Sequence, residues 1–293
     1  MEQQFRVEKT LNNNVLIASH PVYGEVVLLG KGIGFGKKRG DEIAESAVEK
    51  CFVLKNEREQ EQYKKLLPEL SEEFIALMSE VVQHIQQRVG APLDEHIHVA
   101  LTDHIAFTLK RLEQGLDVKN PFLAETKSLY PLEYEIASEV ARMIEQKLGI
   151  ALPEGEAGFI ALHIHSAISK QSVSEANRYS QLIADLVKIV EQQFGIDIDR
   201  ESIHYLRFVR HLRYAIERMK KGEKVEEPKN LSKILKEAYP LCYNLAWKLV
   251  KVMQQTLHLP ADDAEAVYLT LHLQRLAEKK TIQLHRLSRF TCY

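Results

Sequence analysis

The 293-residue sequence predicts a multidomain chain: a small antiparallel β domain over residues 1–60, followed by two homologous all-α helical-bundle domains over 64–171 and 172–280. Residues 281–293 are left as a tail outside the pattern. Three observations carry this reading. The first is an internal repeat. The stretch from Ser128 to Ile164 aligns without gaps on Glu237 to Leu273, matching Tyr130-Pro131 with Tyr239-Pro240 and Glu156-Ala157 with Glu265-Ala266. Upstream, LTDHIAFTLKRLEQG (Leu101 to Gly115) matches FVRHLRYAIERMKKG (Phe208 to Gly222) at a slightly smaller offset. The second is helical periodicity around both copies, as in Ile136, Val140, Met143 and Ile144, and again in Leu245, Leu249 and Met253. The third is the different texture of the first sixty residues, where short β-branched or alternating runs are broken by turn residues.

In the β domain, FRVEK, NVLIAS, GEVVLLG and CFVLK read as strands, and HPVYGE as the turn between the second and third. GKGIGFGKKRGD, Gly30 to Asp41, is too rich in glycine for a strand interior and reads as a loop. So small a domain buries little core alone and needs a partner surface, most simply another copy of itself. In the helical part, Gly115 and Gly149 read as helix stops, and Pro131 and Pro240 as first-turn prolines. The polar stretch Ser169 to Arg178 separates the repeats, and Lys220 to Asn230 is a loop inside the second.

Composition narrows the class. With 45% hydrophobic and 27% charged residues the chain is an ordinary soluble globular one, and a net charge of -2 gives no global attraction to polyanions. Cys51, Cys242 and Cys292 make neither a metal-type spacing nor an even disulfide set, which fits a reducing cytosol and a cytoplasmic protein. No secretory signal or membrane-length apolar run is present, so no membrane insertion is expected, and no cofactor motif points to a bound group.

Two local features depart from this plainness. In the glycine-rich loop, Lys31, Lys37, Lys38 and Arg39 crowd around Phe35 with no acid before Asp41. Lysines neutralise phosphates, glycines admit close backbone approach, and an aromatic face stacks an unpaired base, so the combination points to RNA. Asn12, Asn13 and Asn14 add amides able to read base edges. A solvated hairpin turn is the alternative, while a nucleotide phosphate loop is excluded by the missing GK[ST] ending. The other feature is histidine. On helices, His163 in FIALHIHSAI and His272 in YLTLHLQRLA occupy equivalent places on an apolar face, and His104 pairs in the same way with His211. Each is either a core residue with satisfied ring nitrogens or a regulated site. A metal-dependent phosphohydrolase built on TDH and on the HIH triplets at His96–His98 and His163–His165 is disfavoured, because helical positions two apart diverge by about 200°. A DNA-binding activator carrying the same helical modules would need an N-terminal helix-turn-helix, against which the β-type N-terminus speaks.

Taken in order, LNNNVLIA, GKGIGFGKK, LTDHIAF, YP, EGEAGFIALHIH and EAVYLTLHL resemble bacterial transcription antiterminators of the BglG/SacY type, over residues 1 to about 280. Within the family the likeness is greatest to those of glucose operons in Gram-positive bacilli. The resemblance implies a co-antiterminator RNA-binding domain and two phosphotransferase-system regulation domains. The implied function is that of a homodimeric regulator, not an enzyme, that binds a leader-mRNA antiterminator hairpin and so prevents terminator formation upstream of a sugar operon. It implies RNA contacts at Lys9, Asn14, Gly30, Lys31, Gly32, Phe35 and Gly36, with Asn12 and Asn13 assisting. Lys31 stands where many relatives have arginine, and Gly36 replaces a larger polar residue, so the RNA preference is expected to differ.

The resemblance also implies that His104, His163, His211 and His272 accept phosphoryl groups from a sugar-specific transporter subunit (enzyme II) and a phosphocarrier protein. Each phosphoryl group adds roughly -1.5 to -2 charge, enough to make or break packing between modules. In the first module, where Asp103 precedes His104, that charge is expected to open a closed dimer and inactivate. In the second, Arg207, Arg210 and Arg213 flank His211, so the added charge is expected to be neutral or stabilising.

Overall fold

The computed structural model describes residues 5–52, 66, 70–226 and 230–290. The ends of three expected features lie outside the described residues: Val53 to Lys55 of the CFVLK run, 227–229 of the second-repeat loop, and Thr291 to Tyr293 of the tail. The chain divides into two compact units, one of Met1–Val118 with Glu135–Gln171, the other of Lys119–Tyr134 with Ser172–Tyr293.

Within the first unit, strands β1 (Phe5–Thr10), β2 (Val15–His20), β3 (Gly24–Leu29), β4 (Glu42–Ile43) and β5 (Lys50–Phe52) form one antiparallel sheet in the order β4-β1-β2-β3-β5. The short edge strand β4 was not apparent from the sequence. His20 closes the β2–β3 hairpin: its Nδ1 accepts from Val22 N at 3.2 Å and Tyr23 N at 3.3 Å, and its ring stacks on Tyr23.

Four consecutive buried residues in β2, Val15 to Ala18, show that both faces of the sheet are covered. One face is closed by the domain's own chain, where Ile33 and Ile43 meet Phe5, Val7, Leu16, Ala18, Val26 and Leu28. The other, formed by Val15, Ile17, Val27 and Leu29, packs against Ile75 and Val99. These come from helices α1 (Glu72–Val89) and α2 (His96–Glu113) of the first helical module. The partner surface expected from a second copy is thus supplied, on this face, by the same chain.

The first module continues with α3 (Leu123–Leu129), α4 (Pro131–Leu148) and α5 (Glu154–Ser169); the second comprises α6 (Val173–Phe194), α7 (Ile203–Lys221), α8 (Leu231–Ala238), α9 (Pro240–Leu257) and α10 (Ala264–Phe290). Serine hydroxyls cap three N-termini, Ser71 accepting from Phe74 N, Ser172 from Glu175 N and Ser202 from Tyr205 N. Pro131 and Pro240 begin their helices as expected, and Gly149 ends α4 at φ +70°, a conformation costly for any residue with a Cβ. The backbone of α10 runs on through much of the expected tail. Among the described residues no helix is long and apolar enough to cross a membrane.

Residues 119–134 belong to the first repeat in sequence but lie in the second compact unit. There α3 packs on α6 and α7. Glu125, 3% exposed, accepts from the Tyr205 hydroxyl at 3.0 Å and lies 3.6 Å from Arg200, which also pairs with Glu191 at 2.6 Å. Arg213 Nη1 donates to Leu129 O at 2.7 Å. The counterpart of Glu125 in the second repeat, Ile234 on α8, is 57% exposed.

Leu16, wholly buried at the centre of the sheet, fixes the platform beneath the glycine-rich loop. Leu16→Ala is expected to destabilise the first unit by about 2–5 kcal/mol, measured by guanidinium denaturation of the full chain.

Candidate functional site

The asparagine triplet and the glycine-rich loop are zipped into one surface at the end of the sheet. Gly30 N donates to Asn14 O at 3.0 Å and Gly34 N to Asn13 O at 2.8 Å. The Asn14 side-chain oxygen accepts from Gly32 N, and the Asn12 side-chain oxygen from Asn14 N at 3.0 Å. Two of the asparagines therefore commit an amide oxygen to the backbone frame, Asn14 to the glycine-rich loop and Asn12 to the triplet itself. The glycines are likewise structural. A Cβ on Gly30 would collide with the Ala47 carbonyl oxygen and one on Gly34 with that of Asn12, while Gly32 and Gly36 sit at φ +71° and +69°.

On this frame Phe35 stands 76% exposed, an apolar face without burial. Lys9, Asn13, Lys31 and Lys38 are exposed too, as are Gly32 and Gly36. Lys37 and Arg39 are already engaged, Lys37 Nζ with Glu42 O at 3.2 Å and Arg39 with Glu8 at 3.0 Å. A cavity of about 300 Å³ opens under the loop between Asn14, Gly30 and Lys31 on one side and Ala76 and Glu80 of α1 on the other.

The four histidines meet in two pairs. The rings of His104 on α2 and His163 on α5 have centroids 4.9 Å apart, and those of His211 on α7 and His272 on α10 are 4.7 Å apart. Behind each pair lies a buried acid that sequence reasoning gave no role. Glu156, with no side-chain exposure, is held by Arg111 and by the Thr108 hydroxyl at 3.1 Å, and its Oε2 lies 3.3 Å from His104 Nε2, out of line for a hydrogen bond. Glu265 takes both forks of Arg218 at 2.6 and 2.8 Å, with His211 Nε2 at 3.5 Å. Where the first module has Thr108, the second has Ala215, and the bidentate arginine replaces the hydroxyl. A usable signal existed, since the alignment that pairs the histidines also pairs Glu156 with Glu265 and Arg111 with Arg218.

Burial alone would push both carboxyls up, but the facing histidine and arginine more than offset it and hold both below the usual carboxylate range. Burial drives His163 down to about 3, helped by the nearness of His104 and His96. It drives His272 down to about 4, with His211, Arg275 and Arg207 adding to the shift. Both imidazoles are neutral at physiological pH, the form in which a ring nitrogen is nucleophilic. The arginines expected around His211 are arranged otherwise: Arg213 is turned to Leu129 and Tyr130, and Arg210, like Asp103 in the first module, is exposed. One turn beyond the first histidine each module bares an aromatic, Phe107 (63% exposed) and Tyr214 (54%). The HIH triplet at His163–His165 lies on the unbroken helix α5, so its outer rings diverge.

Residues 5–61 match the family described as CAT RNA binding domain, and residues 79–167 and 184–276 match that described as PRD domain. The PtsGHI operon antiterminator of Bacillus subtilis is 57% identical over 279 residues, covering 95% of this chain and 99% of that protein. The GlcA/glcB genes antiterminator of Staphylococcus carnosus is 41% identical over 275 residues, 93% of this chain and 96% of that protein. Among solved structures, the crystal structure of GlcT CAT-PRDI is 60% identical with a TM-score of 0.51, covering 57% of this chain and 99% of that one.

The depressed histidines set the acid response of the fold. The unfolded chain takes up protons near pH 6.5 that folded His163 and His272 refuse, so stability is full above that pH and falls as the pH drops towards 4. Denaturation at pH 7 and pH 5 is expected to show this loss, with His163→Leu removing about 2 kcal/mol of it.

Proposed function

Since the chain belongs to the family that joins a CAT RNA-binding domain to two PRD domains, we propose that it is a transcription antiterminator binding a leader-mRNA hairpin as a homodimer. The hairpin so held excludes the overlapping terminator upstream of a sugar phosphotransferase operon, with glucose as the sugar. The observation that carries the reading is the hydrogen-bonded surface built from Asn12–Asn14 and Gly30–Lys38, on which Phe35 is bare and Lys31 and Lys38 are exposed. Lys9, Asn12, Asn13, Asn14, Gly30, Lys31, Gly32, Phe35 and Gly36 form the RNA surface: lysines meet phosphates, Phe35 stacks on an unpaired base, and the asparagine–glycine frame holds both in register.

His104, His163, His211 and His272 are the regulatory acceptors of phosphoryl groups, supplied by the sugar-specific transporter subunit and the phosphocarrier protein. The neutral imidazoles of His163 and His272, each paired with a second ring, suit that role. Exposed apolar side chains recur at matching places in the two modules, Phe107 with Tyr214 and Leu132 with Leu241, which supports self-association through both. Dianions placed on the first pair repel across such an interface, whereas Arg207 and Arg275 near His272 temper the same charge in the second module.

In a gel shift the full chain is expected to bind the leader hairpin with two chains per RNA and with marked salt sensitivity. Phe35→Ala is expected to weaken binding by about tenfold or more, and Lys38→Ala by less. Equal affinity for duplex DNA, or one chain per hairpin, would overturn the proposal. In cells grown without the sugar, a reporter behind the terminator is expected to be constitutively active with His104→Ala and not with His211→Ala. The reverse pattern would exchange the roles of the two modules.

A further inference from the structure

In the first histidine pair the two rings are sealed at different nitrogens. In the first module Nε2 of His104 is sealed from solvent and faces the buried Glu156 carboxylate, while in His163 it is Nδ1 that is sealed, without a partner. In the second module Nε2 of His211 is sealed in the same way, facing Glu265. From this geometry, and resting on the phosphoryl-acceptor role proposed above, we infer that His104 and His211 accept the phosphoryl group on Nδ1 and His163 accepts it on Nε2. Glu156 and Glu265 are the positioning residues that enforce the choice.

The chemistry follows from what a carboxylate can do. Arg111 and Thr108 keep Glu156 ionised, so it accepts hydrogen bonds and cannot donate one. In the neutral form of the His104 ring the single proton is therefore drawn to Nε2, and the lone pair stays on Nδ1. At 3.3 Å the two atoms need only a small ring rotation to align, whereas flipping the ring would set a C–H against the ionised oxygen. The His104 side chain keeps 19% of its exposure, and with Nε2 covered the nitrogen left to a donor is Nδ1.

In the transfer, the donor phosphoprotein's P–N or P–S bond breaks and its electron pair returns to the donor's nitrogen or sulfur. The Nδ1 lone pair forms the new N–P bond. The ring gains positive charge, keeps its Nε2 proton and shares it with Glu156, whose negative charge stabilises the imidazolium from the side away from the incoming dianion. Arg111 and Arg218 play the same supporting part, each seven residues beyond its histidine and clamped to the acid. At His163 the sealed nitrogen is Nδ1, which leaves Nε2 to a donor; the inferred tautomer carries its proton on Nδ1.

The test uses the full chain labelled with ¹⁵N-histidine, phosphoenolpyruvate and purified phosphotransferase proteins. One variant keeps only His104 among the four acceptors and another keeps only His163, the rest being alanine. Nitrogen NMR and chromatography of alkaline digests separate the two phosphohistidine isomers. The Nδ1 isomer is expected from the first variant and the Nε2 isomer from the second. The opposite isomer in either, or the same isomer in both, would overturn the inference while leaving the phosphoryl-acceptor role intact. No label on the wild-type chain would remove that role and the inference together. Glu156→Gln, whose neutral amide neither fixes the tautomer nor penalises a flipped ring, is expected to slow labelling of His104 by about tenfold and, through the flipped ring, to admit the Nε2 isomer. Glu156→Asp is expected to restore the Nδ1 isomer. A Glu156→Gln chain that is less stable but still labels only Nδ1 would show that the acid is merely structural.

Discussion

A carboxylate buried inside each helical module is the constraint on which the arrangement around it rests. Glu156 and Glu265 have essentially no exposed side-chain surface, and an unpaired charge in such a place costs several kcal/mol. Each is tolerable because an arginine from the neighbouring helix reaches it, Arg111 from α2 and Arg218 from α7. That demand fixes the height at which α2 stands against α5, and α7 against α10. Two helical turns before each arginine comes a histidine, and the same register brings it against the histidine of the opposite helix. The pairing of the rings is thus a consequence of charge compensation in the core.

Much of the fold was legible in the sequence because the signals are local. Three strands, the hairpin turn, the first-turn prolines and the glycine stops depend on neighbours a few residues away, and the repeat identified equivalent histidines without any structure. What could not be read depends on contacts distant in sequence. The coverage of Val15, Ile17, Val27 and Leu29 by Ile75 and Val99 leaves no periodic mark, since an apolar sheet face looks the same whatever covers it. Glu156 was visible as a repeated residue, but an acid in a helical frame ordinarily reads as solvated, and only its burial shows otherwise. The sequence marks the asparagine triplet as polar and available, but not that the Asn12 and Asn14 side-chain oxygens accept from backbone N–H groups, because an amide oxygen so engaged is indistinguishable in sequence from one awaiting a base.

The loop surface and the histidine pairs obey a common rule of preorganisation. In the loop, backbone hydrogen bonds and glycine geometry hold the frame before any partner arrives, so the entropy of ordering it is met during folding. In the modules, burial keeps the His163 and His272 rings neutral, so neither must lose a proton before a ring nitrogen can react. Both sites are built from short-range geometry resting on packed secondary structure, and the sheet that supports the loop is itself packed on the first helical module.

The passage of residues 119–134 into the second compact unit bears on how such proteins recombine. Sequence repeats invite the picture of interchangeable cassettes with a seam at the polar stretch after Ser169. The buried contact of Glu125 with Tyr205 and Arg200 contradicts that seam. A chimera that takes its first module from one relative and its second from another would bring together an α3 and an α6–α7 groove that had never been matched, leaving a charge buried against the wrong neighbours. The unit of exchange is therefore larger than the repeat: the short helix must travel with the module on which it rests.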